Sequence, residues 1–188
     1  MNAKADTEKA KFDELNRFLD LIRSQDDRAL VLSLASFMEE SLGRLLLSYF
    51  RDCKQTRELV EGFNAPLGTL GSRIKAAYAF GLVCEQQYRD MDIVRKVRNT
   101  FAHDWEGVSI ERNDIKALIG QLSGYTVDHK PPSESPRQKL HDTAATICME
   151  LQIFAGRLHR GEMLKAADHS FRLTVIPPKG AFSRRYVT

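Results

Sequence analysis

The chain has 188 residues, of which 43% are hydrophobic and 28% charged, a composition typical of one soluble globular domain rather than of a disordered chain. The formal net charge is +3, and it arises at the C-terminus, because residues 171–188 carry four basic side chains and no acidic one. Such a tail gives weak support for binding to a nucleic acid or another acidic partner.

The sequence also argues against membrane insertion and against bound cofactors. The first residues are polar and contain no signal-peptide core, and no stretch approaches the ~20 apolar residues of a membrane span. The three cysteines are widely spaced and the five histidines follow no metal-ligand pattern. We therefore expect a cytoplasmic protein with no metal, no cofactor and no membrane contact.

The first two predicted helices are the longest feature of the N-terminal half. Apolar residues at helical spacing predict an amphipathic helix over about 8–23 and a second helix over about 26–50. Either Asp26 or Asp27 is suited to cap the second helix. This helix is apolar on nearly every side, which indicates that other helices surround it.

A loop rich in glycine and proline separates the next two predicted helices. A short helix is expected over about 55–61, and the loop follows over 62–71. Thr69 or Ser72 can cap the helix after the loop, which carries apolar residues as far as Leu82. No Gly-Lys-Ser/Thr sequence follows the loop and no strand precedes it, so it is not a phosphate-binding P-loop.

Three more helices are predicted in the C-terminal half. The first covers about 85–102, a loop over 104–109 follows it, and the next helix covers about 115–122. A polar, proline-containing linker over 128–137 leads to the last helix, at about 140–158, which has the cleanest amphipathic pattern in the chain.

The residues that remain form a tail. Residues 171–176 have the composition of a short extended segment, and two prolines end it. The alternation of apolar and polar residues that is typical of β-strands is otherwise missing. We therefore predict an all-α multi-helix bundle around the long helix at about 26–50. We place one helical domain at 1–165 and a basic C-terminal tail at 166–188.

The segment from Arg98 to His103 carries the most versatile chemistry. Arg98 has the planar donors that bind phosphate or carboxylate, and His103 can move protons near neutral pH. On an ideal helix, Arg98 lies about 40° from the core-facing Val94, whereas His103 lies about 180° from it. The two therefore converge only if the helix ends early or if a second chain supplies one of them.

A non-catalytic explanation for Arg98 is an ion pair. A guanidinium at the edge of an apolar stripe needs a carboxylate or carbonyl partner. Glu39 and Glu40 lie in the middle of the long helix, and Asp92 lies on the same helix as Arg98. We expect Arg98 to join two helices through one of these carboxylates, while His103 suits the C-terminal end of its helix.

Two stretches of the sequence resemble the mannitol operon repressor family. Residues 64–82 match its Pro-Leu-Gly-x-Leu loop and the following helix, which contains a basic residue. Residues 90–103 match a second pattern of the family, which begins with Asp, continues with Arg-Asn and ends with His. The sequence Asp-Arg-Ala-Leu-Val-Leu over 27–32 also resembles the start of that family's long helix. The resemblance covers about 10–165.

The resemblance implies an all-helical transcriptional regulator without a recognisable DNA-binding motif. Such a protein would act through contacts with a transcription factor or a sugar-transport component, and a homodimer stays an open alternative. We predict that the loop at 64–71 and the helix faces around it form the contact surface. The candidate contact residues are Asn64, Pro66, Leu67, Gly68, Arg73 and Trp105.

The Arg98–His103 segment also resembles the short Arg-x4-6-His motif of HEPN domains. That resemblance implies an alternative function, a metal-independent ribonuclease that cleaves across a dimer. Arg98 would hold the phosphate, His103 would transfer protons and Asn99 would orient one of them. Direct DNA binding through the basic tail is a third alternative.

Overall fold

The computed structural model describes residues 3–104, 106–124 and 135–158. Within these residues the regular structure is entirely helical, in agreement with the predicted all-α fold. The helices are α1 (Ala3–Arg23), α2 (Asp27–Tyr49), α3 (Lys54–Val60), α4 (Leu70–Ala79), α5 (Glu85–His103), α6 (Asn113–Gly120) and α7 (Pro136–Leu158).

The long helix α2 is the centre of the bundle, as its apolar sequence predicts. It packs against α1, α3, α4, α5 and α7. Its N-cap is Asp26, whose side chain accepts a hydrogen bond from the backbone N–H of Ala29 at 2.8 Å. Leu34, Met38 and Leu42 are among the apolar side chains that α2 buries completely or almost completely.

The neighbours of α2 differ in direction. α7 runs parallel to it, because Arg137 at the start of α7 pairs with Asp27 at the start of α2. α1 runs antiparallel, since Glu14 bonds to Arg44 near the far end of α2, while the rings of Phe18 and Phe37 stack at a centroid distance of 4.3 Å. Both ends of the bundle therefore contain termini of several helices.

Asp27 connects three segments at one end of the bundle. One carboxylate oxygen accepts from the backbone N–H of Ile110 at 2.8 Å, and the other accepts from the guanidinium of Arg137. The loop before α6 and the first turn of α7 are thus both fixed to the first turn of α2. A carboxylate at a helix N-terminus is also favoured by the helix dipole.

Arg28 closes the end of α5. Its guanidinium donates to the backbone carbonyls of Phe101 and Asp104, which lie in the last turn of α5 and at its C-cap. Helix C-termini leave carbonyl groups without intrahelical partners, and a cation there also compensates the helix dipole. The end of the Arg98–His103 segment is therefore bound by a side chain from α2.

Several helix boundaries differ from the sequence prediction, and α1, for example, begins at Ala3 rather than at about residue 8. α4 ends at Ala79 and excludes Leu82, because Gly81 takes a left-handed conformation with φ of 69°. The backbone N–H of Leu82 then bonds back to the carbonyl of Ala77 at 2.8 Å, as in a Schellman motif. α7 begins at Pro136, inside the predicted linker, since proline is well suited to the first turn of a helix.

We predict that Arg28→Ala lowers the free energy of unfolding by about 2 kcal/mol, because the half-buried carbonyl of Phe101 loses a charged donor. Arg89→Ala is the matched control. Arg89 lies on the surface of α5 and, among the described residues, pairs only with Glu85, an exposed interaction worth less than about 1 kcal/mol. Urea denaturation followed by circular dichroism measures both, and equal losses would contradict the assigned role of Arg28.

A second prediction concerns Cys148, which α7 buries against Ser41 of α2. Burial raises the pKa of this thiol to about 12, whereas Cys84 is exposed. A thiol reagent at pH 8 should therefore modify Cys84 rapidly and Cys148 only after unfolding. Mass spectrometry of the labelled peptides measures this. Rapid labelling of Cys148 in the native protein would show that α7 does not pack on α2 as described.

Candidate interaction surface

The Arg98–His103 segment remains helical to its end. Arg98 is half-buried on α5, and its Nη1 donates to Oδ1 of Asn99 at 3.1 Å. His103 is the last residue of α5 and is exposed. At ~100° per residue, the two side chains leave the helix about 140° apart. The structure therefore does not bring Arg98 and His103 together within one chain.

Among the described residues, Arg98 forms no ion pair with the carboxylates predicted for it. Each of those carboxylates bonds to a group nearer to it: Glu39 to the backbone N–H of Leu70, Glu40 to Arg44, and Asp92 to Arg95 and Lys96. The helices that Arg98 was expected to join, α2 and α5, are joined instead by Arg28 of α2, which donates to the carbonyls of Phe101 and Asp104.

Arg73 is an anchor within the fold, although we predicted it as a contact residue. Its guanidinium donates to three backbone carbonyls, from Nε to Leu67 at 2.8 Å, from Nη1 to Glu39 at 2.7 Å and from Nη2 to Val60 at 2.7 Å. These carbonyls belong to the loop before α4, to α2 and to the end of α3. Donors used in this way are not available to a partner.

Gly43 makes room for this anchor. A Cβ atom added to Gly43 would lie 2.8 Å from Nη1 of Arg73, closer than carbon and nitrogen atoms can approach. The side chain of Arg73 cannot move aside easily, because three hydrogen bonds fix it. A glycine in the middle of α2, which alone would weaken a helix, is therefore required by the neighbouring guanidinium.

The loop over residues 61–69, called the 61–69 loop below, is held by hydrogen bonds at both ends. The backbone N–H of Leu67 donates to the carbonyl of Leu59 at 2.8 Å, and that of Gly68 donates to the carbonyl of Ala65 at 2.9 Å. Gly68 is also confined, because a Cβ there would lie 2.9 Å from the same carbonyl oxygen. The loop is short, folded on itself and fixed to α3 and α4.

Phe63 projects from this loop into solvent. Its side chain is 97% exposed, the most exposed of the large apolar residues that the structure describes. Gly62 and Asn64, on either side of it, have positive φ angles of 97° and 61°, which turn the backbone outward at this point. Leu59 is partly exposed at the end of α3 nearby.

Apart from Arg73, the predicted contact residues divide into three groups. Asn64 and Pro66 are exposed on the 61–69 loop, and Leu67 and Gly68 are half-buried at its base. Trp105 lies outside the described residues. Phe63 was not among the predicted contact residues, although a large aromatic residue between two turn-forming residues is the signal that could have identified it.

Other kinds of site have no support in the described residues. They contain no group of three or more His, Cys, Asp or Glu side chains arranged to hold a metal ion. None of the described helices has both the length and the hydropathy that a membrane span requires.

The contact between Arg73 and Gly43 predicts that Gly43→Ala has opposite effects on the free energy of unfolding in the natural chain and in an Arg73→Ala variant. In the natural chain, Gly43→Ala should lower the free energy of unfolding, because the new methyl group displaces the guanidinium. In an Arg73→Ala background the same change should raise it by up to about 1 kcal/mol, through the higher helix propensity of alanine. A double-mutant cycle by urea denaturation measures this coupling. The same effect of Gly43→Ala in both backgrounds would disprove the contact.

Comparison with known proteins identifies relatives of this chain. No family model matches it. The chain is 25% identical over 126 residues to the mannitol operon repressor of Escherichia coli strain K12 and, equally, to that of Escherichia coli O6:H1 strain CFT073. Each match covers 64% of this chain, and the chain spans 65% of the length of these curated relatives.

The fold gives a second comparison. The structure is similar to a chain in the X-ray structure of the MtlR–HPr complex from Escherichia coli, with a TM-score of 0.53 and 20% sequence identity. The match covers 77% of this chain and 98% of that chain. The resemblance to mannitol operon repressors that the motifs indicated is therefore confirmed by a comparison of sequences, and the helical fold has a solved counterpart.

Proposed function

We propose that this protein is a non-catalytic transcriptional regulator of the mannitol operon repressor type, which acts through protein contacts. The support comes from the curated relatives, which carry that name, and from the structural neighbour, which is part of a complex with HPr. Within this proposal the partner is a sugar-transport component of the HPr kind. The 61–69 loop provides the contact surface.

The exposure of Phe63 is the observation that carries the proposal. A Phe side chain left in water forgoes about 2 kcal/mol or more of burial free energy, and a partner that covers it recovers that free energy on binding. Aromatic side chains contribute strongly to binding at protein interfaces. Phe63 is the one aromatic residue of the 61–69 loop, and the fold of the chain itself gives no reason for its exposure. Contact with a partner explains the exposure better.

The rigidity of the loop strengthens this argument. Ordering a mobile loop on binding costs about 1 kcal/mol or more per residue, and a loop already fixed avoids most of this loss. Arg73 fixes the base of the 61–69 loop through the carbonyl of Leu67, and Gly68 closes a turn on Ala65. Phe63 is therefore presented in one place before any partner arrives.

The surroundings of Phe63 fit an interface as well. Leu59 adds apolar area, while Glu58 and Glu61 are exposed beside it on α3 and at its C-cap. An apolar centre within a charged rim is the usual arrangement of a transient protein interface. The divergence of Arg98 and His103 on α5, in contrast, does not favour the ribonuclease alternative.

Binding to HPr from the same genome tests the proposal. Phe63→Ala should weaken binding at least tenfold, as measured by isothermal titration calorimetry, because the apolar contact is lost. Its free energy of unfolding should change by less than about 0.5 kcal/mol, since Phe63 makes almost no contact in the free chain.

Leu21→Ala is the matched control, since Leu21 is 68% exposed but lies on α1, a helix that takes no part in the hydrogen bonds described for the 61–69 loop. This variant should bind as the natural chain does. Natural-strength binding by Phe63→Ala would exclude the 61–69 loop as the contact surface, and a natural chain that does not bind HPr would exclude this partner.

A further inference from the structure

Two tyrosine rings are stacked where the end of α4 meets the start of α5. Tyr78 is the next to last residue of α4, and Tyr88 is the fourth residue of α5. The ring centroids are 4.6 Å apart, and the ring planes meet at 28°. These two residues are called the tyrosine pair below. Stacked rings stabilise the contact between two helices, and here they also place two oxidisable phenols side by side.

The backbone around the tyrosine pair fixes its geometry. Gly71, at the start of α4, lies against the side chain of Arg95 in the second half of α5, so the two helices run antiparallel. The backbone N–H of Leu82 donates to the carbonyl of Ala77 at 2.8 Å and closes the turn between the helices. The two rings are therefore held together by the fold.

An oxidant in solution can reach the tyrosine pair. Tyr78 is 42% exposed, and Tyr88 is half-buried beside it. A phenol that loses an electron and its hydroxyl proton becomes a phenoxyl radical. Because the two rings are stacked, oxidation of one ring places a radical directly beside the second phenol.

We propose that the tyrosine pair is a site of oxidative modification, at which a one-electron oxidant, such as the high-valent haem of a peroxidase, joins Tyr78 and Tyr88 into a dityrosine. The oxidant accepts one electron from each phenol, and each hydroxyl proton passes to water. The two phenoxyl radicals then form a carbon–carbon bond between ring positions ortho to oxygen. The hydrogen atoms on these carbons move to the oxygens and restore both phenols, so the chain loses two hydrogen atoms in total.

Proximity favours coupling within the tyrosine pair over coupling between two chains. Groups held together by the fold react at an effective concentration of about a millimolar or more, roughly a thousand times that of a second chain at micromolar concentration. Tyr49 is also partly exposed, but its ring neighbours in the described part of the chain are Phe50 and Phe80. Phenylalanine forms no phenoxyl radical, so Tyr49 has no comparable neighbour there.

A dityrosine at this place would connect α4 to α5 covalently. Such a bond closes a short loop of chain and restricts the unfolded state, as a disulfide does. The helix that it fixes, α4, also carries Arg73, the anchor of the 61–69 loop. The inference rests on the geometry of the tyrosine pair alone and does not depend on HPr or on the proposed function.

Oxidation of the full-length chain by photoexcited tris(bipyridine)ruthenium(II) with persulfate tests the proposal. The exposed thiols are alkylated first, because a nearby thiol such as that of Cys84 can reduce a tyrosyl radical. Trypsin cuts after Lys75 and Arg89 and leaves both tyrosines on one peptide, 76–89. In mass spectrometry this peptide should have lost two hydrogen atoms, and fragment ions from between the two tyrosines should be missing, since the new bond closes a ring.

Phenylalanine variants show whether the tyrosine pair is the main site. Tyr78→Phe and Tyr88→Phe should each lower the fluorescence of dityrosine about tenfold or more, because phenylalanine keeps the ring packing but forms no phenoxyl radical. Tyr49→Phe is the matched control and should give the fluorescence of the natural chain, since no tyrosine is among the described ring neighbours of Tyr49.

Three results would overturn the proposal. The first is an unmodified peptide 76–89 from the natural chain after a light dose that converts free tyrosine to dityrosine. The second is equal dityrosine fluorescence in the natural chain and in both variants of the tyrosine pair. The third is dityrosine found only between two chains, as a covalent dimer on a denaturing gel.

Discussion

The guanidinium of Arg73 fixes the part of the molecule on which the proposed function depends. It bonds to carbonyls of α2, of α3 and of the loop before α4, so that three segments are held by one side chain. Gly43 permits the close approach, because any larger residue would displace the guanidinium. The rigid presentation of Phe63 follows from this anchor. Without it, the 61–69 loop would be fixed mainly by backbone hydrogen bonds between residues that are close in sequence.

The helices could be predicted from the sequence because they depend on local patterns. Apolar residues at a period near 3.6 place α2 and α7, and Asp26 and Thr69 act as the expected N-caps. The role of Arg73 could not be predicted in this way. An arginine after a loop has the same local sequence whether it points to solvent or to α2, and only the tertiary arrangement decides between the two.

Interactions between distant residues explain the remaining differences at the candidate site. Arg28 binds the end of α5 across 73 positions of sequence, and Glu39 accepts from Leu70 rather than from Arg98. Short-range pairing of Asp92 with Arg95 removes another predicted partner of Arg98. The Arg98–His103 segment, which first suggests catalysis, is therefore part of the packing of the bundle. The proposed function depends instead on Phe63 in the 61–69 loop.

The most direct test of the central claim is a map of the residues that a partner contacts. The isotope-labelled chain should be titrated with HPr, and backbone amide shifts should be followed by NMR. The account predicts that the largest changes fall on residues 59–68, centred on Phe63, with the amides of α1 nearly unchanged. Changes centred on α1 or on the exposed side of α7, with the 61–69 loop unaffected, would contradict it.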